Sequence, residues 1–267
     1  MTFSQKRNIM DKKKRNLPSN LLADKSLLDG NEKNIIPHHL AKKSLSQLRD
    51  EAKKRNRNRV SNLMGLSDAT GSMSSLWNET KEIIAELINR MSTFGQLSIN
   101  WVAYRDYCHG ERIIEASGWQ SDKKPLLNFL SSIDCIWGDD WPEAVEKGLE
   151  YAVNDSRVTR VLLIGDAPPH ENRNYIQQAE QLNSKQIPVF SFVVGSAQDT
   201  IIAFKKISKI TGGKSFILKK VEDLLDVVAL NAADDIGGRD SINNYLKNNK
   251  NRISENAREY AKFLLTD

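Results

Sequence analysis

Two stretches constrain this chain more than any other feature: RVLLIGD at residues 160–166 and PVFSFVVG at 188–195 are nearly continuous apolar runs. A strand with one wet face alternates apolar and polar residues. A strand that is apolar throughout must be covered on both faces, as happens inside a parallel sheet flanked by helices. Further strand-like segments stand at 60–67, 97–104 and 214–218, with a weaker one at 112–119. Helix-like segments fall between them at 74–91, 123–133, 142–153, 172–183, 200–211 and 221–231. This alternation predicts an α/β fold with a doubly wound, mostly parallel central sheet of the Rossmann-like kind. In such a sheet ligands gather at the carboxyl ends of the strands, where the connections switch direction.

The chain of 267 residues is long enough to bury its own core. Its charge is unevenly spread. The first 60 residues hold 16 Lys and Arg against 6 Asp and Glu, which leaves 23 against 28 for the rest. Residues 1–57 therefore read as a basic arm, partly disordered, with a helix near 38–57 carrying Leu40, Leu45, Leu48 and Ala52. No run approaches the roughly 18 apolar residues of a membrane-spanning helix. The opening MTFSQKRNIMDKKKRN has no apolar block of a secretory signal. Cys108 and Cys135 are too few for a disulfide framework, so two buried thiols and a cytoplasmic location are expected. Residues 233–267 form a C-terminal helical extension, whose apolar positions include Ile242, Tyr245, Tyr260 and Leu264.

Three acidic, hydroxyl-rich segments fall where strands are expected to end. They are Ser67-Asp68-Ala69-Thr70-Gly71-Ser72, Gly138-Asp139-Asp140-Trp141-Pro142-Glu143 and Gly165-Asp166-Ala167-Pro168-Pro169-His170. Carboxylate and hydroxyl oxygens suit Mg²⁺, or Mn²⁺ and Ca²⁺, and the absence of Cys and His among the likely ligands argues against zinc. Asp68, Thr70 and Ser72 alternate, so their side chains can enter one pocket, with Gly71 allowing a tight turn. Taken alone, Thr70 and Ser72 also fit the role of hydroxyl caps at a helix start.

Six segments, LMGLSDATGSMSSLWNE, WVAYRDY, GDDWPEAVEKGL, VLLIGDAPPH, IPVFSFVVGS and TGGKSFIL, stand in the order and spacing of von Willebrand factor A (vWA) domains. The chain resembles that family over roughly residues 58–232, and most of all the branch found beside alpha-kinases of the myosin heavy chain kinase type. The resemblance implies a metal-ion-dependent adhesion site (MIDAS) held by Asp68, Thr70, Ser72, one residue of the second loop, and Asp166. The family's first loop is most often Asp-x-Ser-x-Ser, so Thr70 replaces one hydroxyl by another. Its second-loop ligand is usually Thr, whereas Asp140 aligns best here with Asp139 as its rival. Three carboxylates around a divalent ion leave a formal charge of −1, which predicts firm metal binding and weak capture of acidic ligands.

Other residues have plainer readings. Arg105 and Asp106 after a strand suggest an ion pair near the site, and Glu143 after Pro142 an acid favoured by a helix N-terminus. His170 could reach the outer shell of the metal, while His38 and His39 read as solvated. Gly212-Gly213-Lys214-Ser215 lacks the Walker spacing and reads as a helix C-cap followed by a strand. Ser72 stands outside any G-x-S-x-G elbow, and no other catalytic constellation assembles.

The sequence thus points to a non-catalytic protein-binding (scaffold or adaptor) module, with a protein partner such as an AAA-type ATPase or a kinase. The alternatives are a metal-dependent hydrolase at the same carboxylates and a nucleic-acid-associated module acting through residues 1–60. The arm carries charge for nucleic acid but only Phe3 for stacking.

Overall fold

A computed structural model of the chain describes residues 60–79 and 96–266. The expected basic arm and most of the helix expected at 74–91 lie outside these residues; of that helix, 74–79 are helical.

Six strands form one sheet: β1 (Val60–Asp68), β2 (Gln96–Tyr104), β3 (Ile114–Gln120), β4 (Arg160–Gly165), β5 (Val189–Val194) and β6 (Ser215–Leu218). Their spatial order is β3-β2-β1-β4-β5-β6, with every pairing parallel except that of β2 with β3. All six residues of β4 are buried, and so are the first five of β5. The two apolar runs therefore lie inside the sheet, as their composition requires.

Around the sheet lie α1 (Lys123–Ser132), α2 (Val145–Asn154), α3 (Tyr175–Ser184), α4 (Gln198–Ile210), α5 (Val221–Asn248) and α6 (Glu255–Thr266). Alternation along the strands splits the core into two layers. Leu63, Leu162, Ile164 and Phe192 face one way, packing with Trp77, α1, α5 and α6. Met64, Leu66, Val161 and Leu163 face the other, packing with α2, α3 and α4. Each such side chain contributes about 1.5–3 kcal/mol on burial. Gly212, with φ +76°, turns the chain out of α4, and β6 begins at Ser215, so the Gly-Gly-Lys-Ser segment is the helix end and strand start that its spacing suggested.

Helix α5 runs past residue 232, kinks at Gly238 and hands over to α6, which returns along the same face of the sheet. Its fixed point is Arg160 at the start of β4. Arg160 donates to Asn231 Oδ1 at 2.7 Å, to Asp234 at 2.9 Å and pairs with Asp235 at 2.7 Å. The Tyr260 hydroxyl of α6 donates to the same Asn231 oxygen at 2.7 Å, and its ring packs edge-on against Phe190 and Phe216. A buried guanidinium is tolerable only when paired and hydrogen-bonded in this way.

Replacing Tyr260 separates these contributions. Tyr260→Phe keeps the ring and removes one hydrogen bond, a loss of about 1 kcal/mol. Tyr260→Ala also empties the aromatic cluster, and about 3–5 kcal/mol is expected. Urea unfolding of both variants reads the difference, and equal losses would show that α6 does not depend on the ring for docking.

Candidate metal centre

β1 and β4 are neighbours at the middle of the sheet, and the order of strands proceeds away from them on opposite sides. Their carboxyl ends thus frame the crevice where a doubly wound sheet takes its ligands. Asp68 is the last residue of β1, and Asp166 directly follows β4. Backbone hydrogen bonds fasten the loops above. Ile136 N–H donates to the Ala69 carbonyl at 3.2 Å, joining the second loop to the first. Glu143 N–H donates to the Pro168 carbonyl at 2.9 Å, joining the second to the third, and Ala144 N–H donates to Arg105 O at 3.1 Å. The Thr200 hydroxyl near the start of α4 holds the Asp166 carbonyl at 2.8 Å.

Asp68 is completely buried. Its Oδ1 accepts from the Thr70 amide at 2.8 Å and the Thr70 hydroxyl at 2.7 Å, while Oδ2 has no partner. The Thr70 hydroxyl is therefore turned to Asp68 and does not cap the short 3₁₀ turn Gly71–Met73. Ser72 Oγ follows at 3.4 Å from Thr70 Oγ1, so the three alternating side chains share one side of the loop. Gly71 has an ordinary backbone conformation, and its lack of a side chain serves another end. A Cβ there would run into the indole of Trp137, which lies across the loop.

Three more buried carboxyl oxygens without partners belong to Asp166, Glu143 and Glu146. Burial pushes the Asp68 carboxyl up to about 7, helped by the charge of Asp166. Burial pushes Glu143 up to about 9, with Asp68, Asp106, Asp166 and Asp140 adding repulsion. Arg105, buried at the end of β2, is committed to Glu115 and to the carbonyls of Arg112 and Asp134. It does not pair with Asp106, contrary to the simplest reading of the Arg-Asp dipeptide. Desolvated carboxyls with oxygens to spare, beside two hydroxyls, fit a hard divalent cation.

The second loop keeps its acids at different depths. Asp139 and Asp140, the two rivals for its ligand, are both exposed. Asp140 lies 3.5 Å from His170 Nε2, and the Asp139 amide donates to Asp106 Oδ2 at 2.9 Å. Glu143 is the second-loop acid buried among Asp68 and Asp166, and it is not in a helix. α2 starts only at Val145: the Glu143 carbonyl is taken by the Val145 amide at 2.8 Å, and Ala144, with ψ 53°, is the N-cap whose carbonyl accepts from Lys147 at 3.0 Å. The apolar period of α2, which begins at Val145, was the signal that Glu143 precedes the helix.

Asp106 accepts from the Asp139 and Tyr107 amides; burial opposes ionisation there, but these donors hold its carboxyl below the usual range. Cys108 is exposed and Cys135 half-buried, so only one of the two thiols is even partly covered as expected. Trp137 is 75% exposed and Trp141 50%, leaving two indoles on the rim of the crevice. Trp141 is tied back to Asp199 near the start of α4 by a 2.8 Å hydrogen bond.

No family model matches the chain. The chain is 27% identical over 181 residues to the "Putative ariadne-like RING finger protein R811" of Acanthamoeba polyphaga mimivirus. That match takes in 58% of this chain and 18% of the viral protein, so the chain spans less than a fifth of that relative's length. Among solved structures, BatB of Bacteroides thetaiotaomicron aligns over 70% of this chain and 99% of its own, at 14% identity and a TM-score of 0.50. A von Willebrand factor type A protein of Catenulispora acidiphila aligns over 67% of this chain and 43% of its own, at 12% identity and 0.52. The open pilus adhesin SpaC of Lactobacillus rhamnosus GG gives 67%, 30%, 8% and 0.52 in the same terms. The strand order, the helices on both faces and these likenesses agree: the chain has the Rossmann-like fold of von Willebrand factor A domains.

Proposed function

We propose that this chain is a non-catalytic protein-interaction module whose binding face is organised by one hard divalent cation, Mg²⁺ ahead of Mn²⁺ or Ca²⁺. The observation that carries the reading is that Asp68, Glu143 and Asp166, from the three loops over the central crevice, each keep a buried carboxyl oxygen without a partner, and that the charges of Asp68 and Asp166 bear on Glu143. Thr70 and Ser72 complete the donor set, an arrangement similar to a MIDAS. When bound, the ion supplies the positive charge that lets the buried carboxyls ionise together.

Three carboxylates against a charge of +2 leave the centre negative, so tying three loops together is its stronger role. Contact with the partner then falls to the rim. Trp137 and Trp141 are exposed indoles beside the crevice, and aromatic anchors of this kind dominate protein interfaces. For the partner we infer another protein in the cytoplasm, with AAA-type ATPases and kinases as the classes implied by the alpha-kinase-associated resemblance. Loss of a co-purified partner on chelation supports this reading. Phosphoester turnover abolished by Asp68→Ala would instead favour the hydrolase, and binding that weakens steeply with salt and needs residues 1–60 would favour nucleic acid.

Thermal unfolding tests the metal directly. At one hundred times its dissociation constant, Mg²⁺ should add about 2.7 kcal/mol of stability. Asp68→Ala and Asp166→Ala should abolish this gain. Glu143→Gln should raise stability in chelator, by removing a buried acid, and shrink the Mg²⁺ effect. Asp140→Asn should leave the Mg²⁺ effect unchanged, and a loss equal to that of Glu143→Gln would return the second-loop role to Asp140.

Proton linkage gives a second test. Because Asp68 and Glu143 hold protons more tightly folded than unfolded, their contribution is fully present below about pH 4. It is lost as pH rises through about 7 for Asp68 and about 9 for Glu143. In chelator, stability should therefore fall over that window by an amount on the order of a few kcal/mol. Saturating Mg²⁺ should flatten the fall, and identical slopes with and without the ion would contradict the site.

A further inference from the structure

Beside the crevice, Asp106, Asp140 and His170 form a separate group. One donor atom from each lies within 4.8 Å of the others, and they come from three different segments: the end of β2, the second loop and the third loop. His170 Nε2 stands 3.5 Å from Asp140 Oδ1 and 3.7 Å from Asp106 Oδ1. At these separations the imidazole makes at best a marginal hydrogen bond to either carboxylate. They are instead close to the spacing of ligands around a small ion. Ligand bonds of about 2.0–2.1 Å in a tetrahedron place neighbouring donors about 3.3 Å apart. A few tenths of an ångström of contraction would bring the two His170–carboxylate pairs to that spacing, with the Asp106–Asp140 pair already within 4.8 Å.

Two of the three donors are held in place. Asp106 is buried, and its two oxygens are aimed by the Tyr107 and Asp139 amides. The His170 ring packs edge-on against Tyr107, which is itself covered by the Arg173 guanidinium. His170 Nδ1 is buried, so Nε2 is the nitrogen presented to a ligand. Asp140 is largely exposed, which leaves a route from solvent. One imidazole with two carboxylates selects a different ion from the oxygen-only crevice. Imidazole suits Zn²⁺, Co²⁺ and their neighbours, whereas all-oxygen sites suit Mg²⁺.

We propose that Asp106, Asp140 and His170 bind a borderline divalent transition metal, Zn²⁺ by preference, at a second site distinct from the Asp68–Glu143–Asp166 centre. The second ion would sit against the same second loop, fastening Asp140 to the ends of β2 and the third loop. The proposal rests on the reading that Glu143, and not Asp140, serves the first centre, in which case the two share no ligand.

The test is titration of the full chain with Zn²⁺, and with Co²⁺ for its visible absorption, in a large excess of Mg²⁺. One tight equivalent is expected. His170→Gln and Asp140→Asn should each weaken that equivalent by about tenfold or more, the scale on which even supporting residues of a metal site act. Asp68→Asn should leave it intact. Both ligand variants alter side chains outside the apolar core, and circular dichroism confirms that they fold. Failure to bind Zn²⁺ over Mg²⁺, or binding that survives both His170→Gln and Asp140→Asn, as ions held by His38, His39 or Cys135 would, overturns the proposal. So does loss of the ion in Asp68→Asn to the same degree. If Mg²⁺ fails to stabilise the protein while Zn²⁺ behaves as described, the first centre falls and the second stands.

Discussion

Repulsion among buried carboxyls is the constraint around which this molecule is arranged. Asp68, Glu143 and Asp166 stand on three loops where the sheet changes direction, the first two buried and the third half-buried, and burial together with repulsion from neighbouring acids pushes Asp68 and Glu143 far above the ordinary carboxylate range. A fold that only needed stability would put apolar side chains there. Instead, the segments bearing these acids are fixed by backbone hydrogen bonds, Ala69 to Ile136 and Glu143 to Pro168. The Asp68 carboxyl is further positioned by both donors of Thr70. Such pre-positioning keeps groups that repel one another from relaxing apart.

The same loops divide their acids by exposure. Asp139 and Asp140 face solvent, while Glu143, only three residues beyond Asp140, is interior. Between them Trp141 turns outward and anchors to Asp199 near the start of α4. The second loop thus offers inner and outer acids from one short segment, and its two tryptophans mark where interior gives way to rim. On the opposite end of β4, Arg160 meets Asp234 and Asp235 in close pairs. The strand carries a compensated charge cluster at one end and an uncompensated one at the other, consistent with structure at the first and ligand chemistry at the second.

Much of this was legible in the sequence, and the exceptions are instructive. The runs of β4 and β5 declare themselves because burial on both faces leaves no polar position. The places of Asp68 at the end of β1 and Asp166 just past β4 were legible because a strand that ends at the switch point delivers its last residues there. Glu143 was read as a helix start because Pro-Glu stands before an apolar period, although that period begins only at Val145, and the structure sets Glu143 ahead of the helix with its amide on Pro168. Arg105 and Asp106 seemed a natural pair, yet neighbours on an extended chain point to opposite sides, so each found partners elsewhere. The Asp106–Asp140–His170 group joins residues 34 and 30 positions apart, and no local pattern could announce it.

The course of α5 has a consequence for how the molecule comes apart. Asn231 in its middle is shared by Arg160 of β4 and Tyr260 of α6, and the apolar residues on either side of the Gly238 kink belong to one contiguous cluster. Residues beyond 232 are therefore no removable appendage. A cut at that point would leave the β4 guanidinium facing a severed helix and expose Phe190 and Phe216, so the sheet and the terminal hairpin should melt as one cooperative unit.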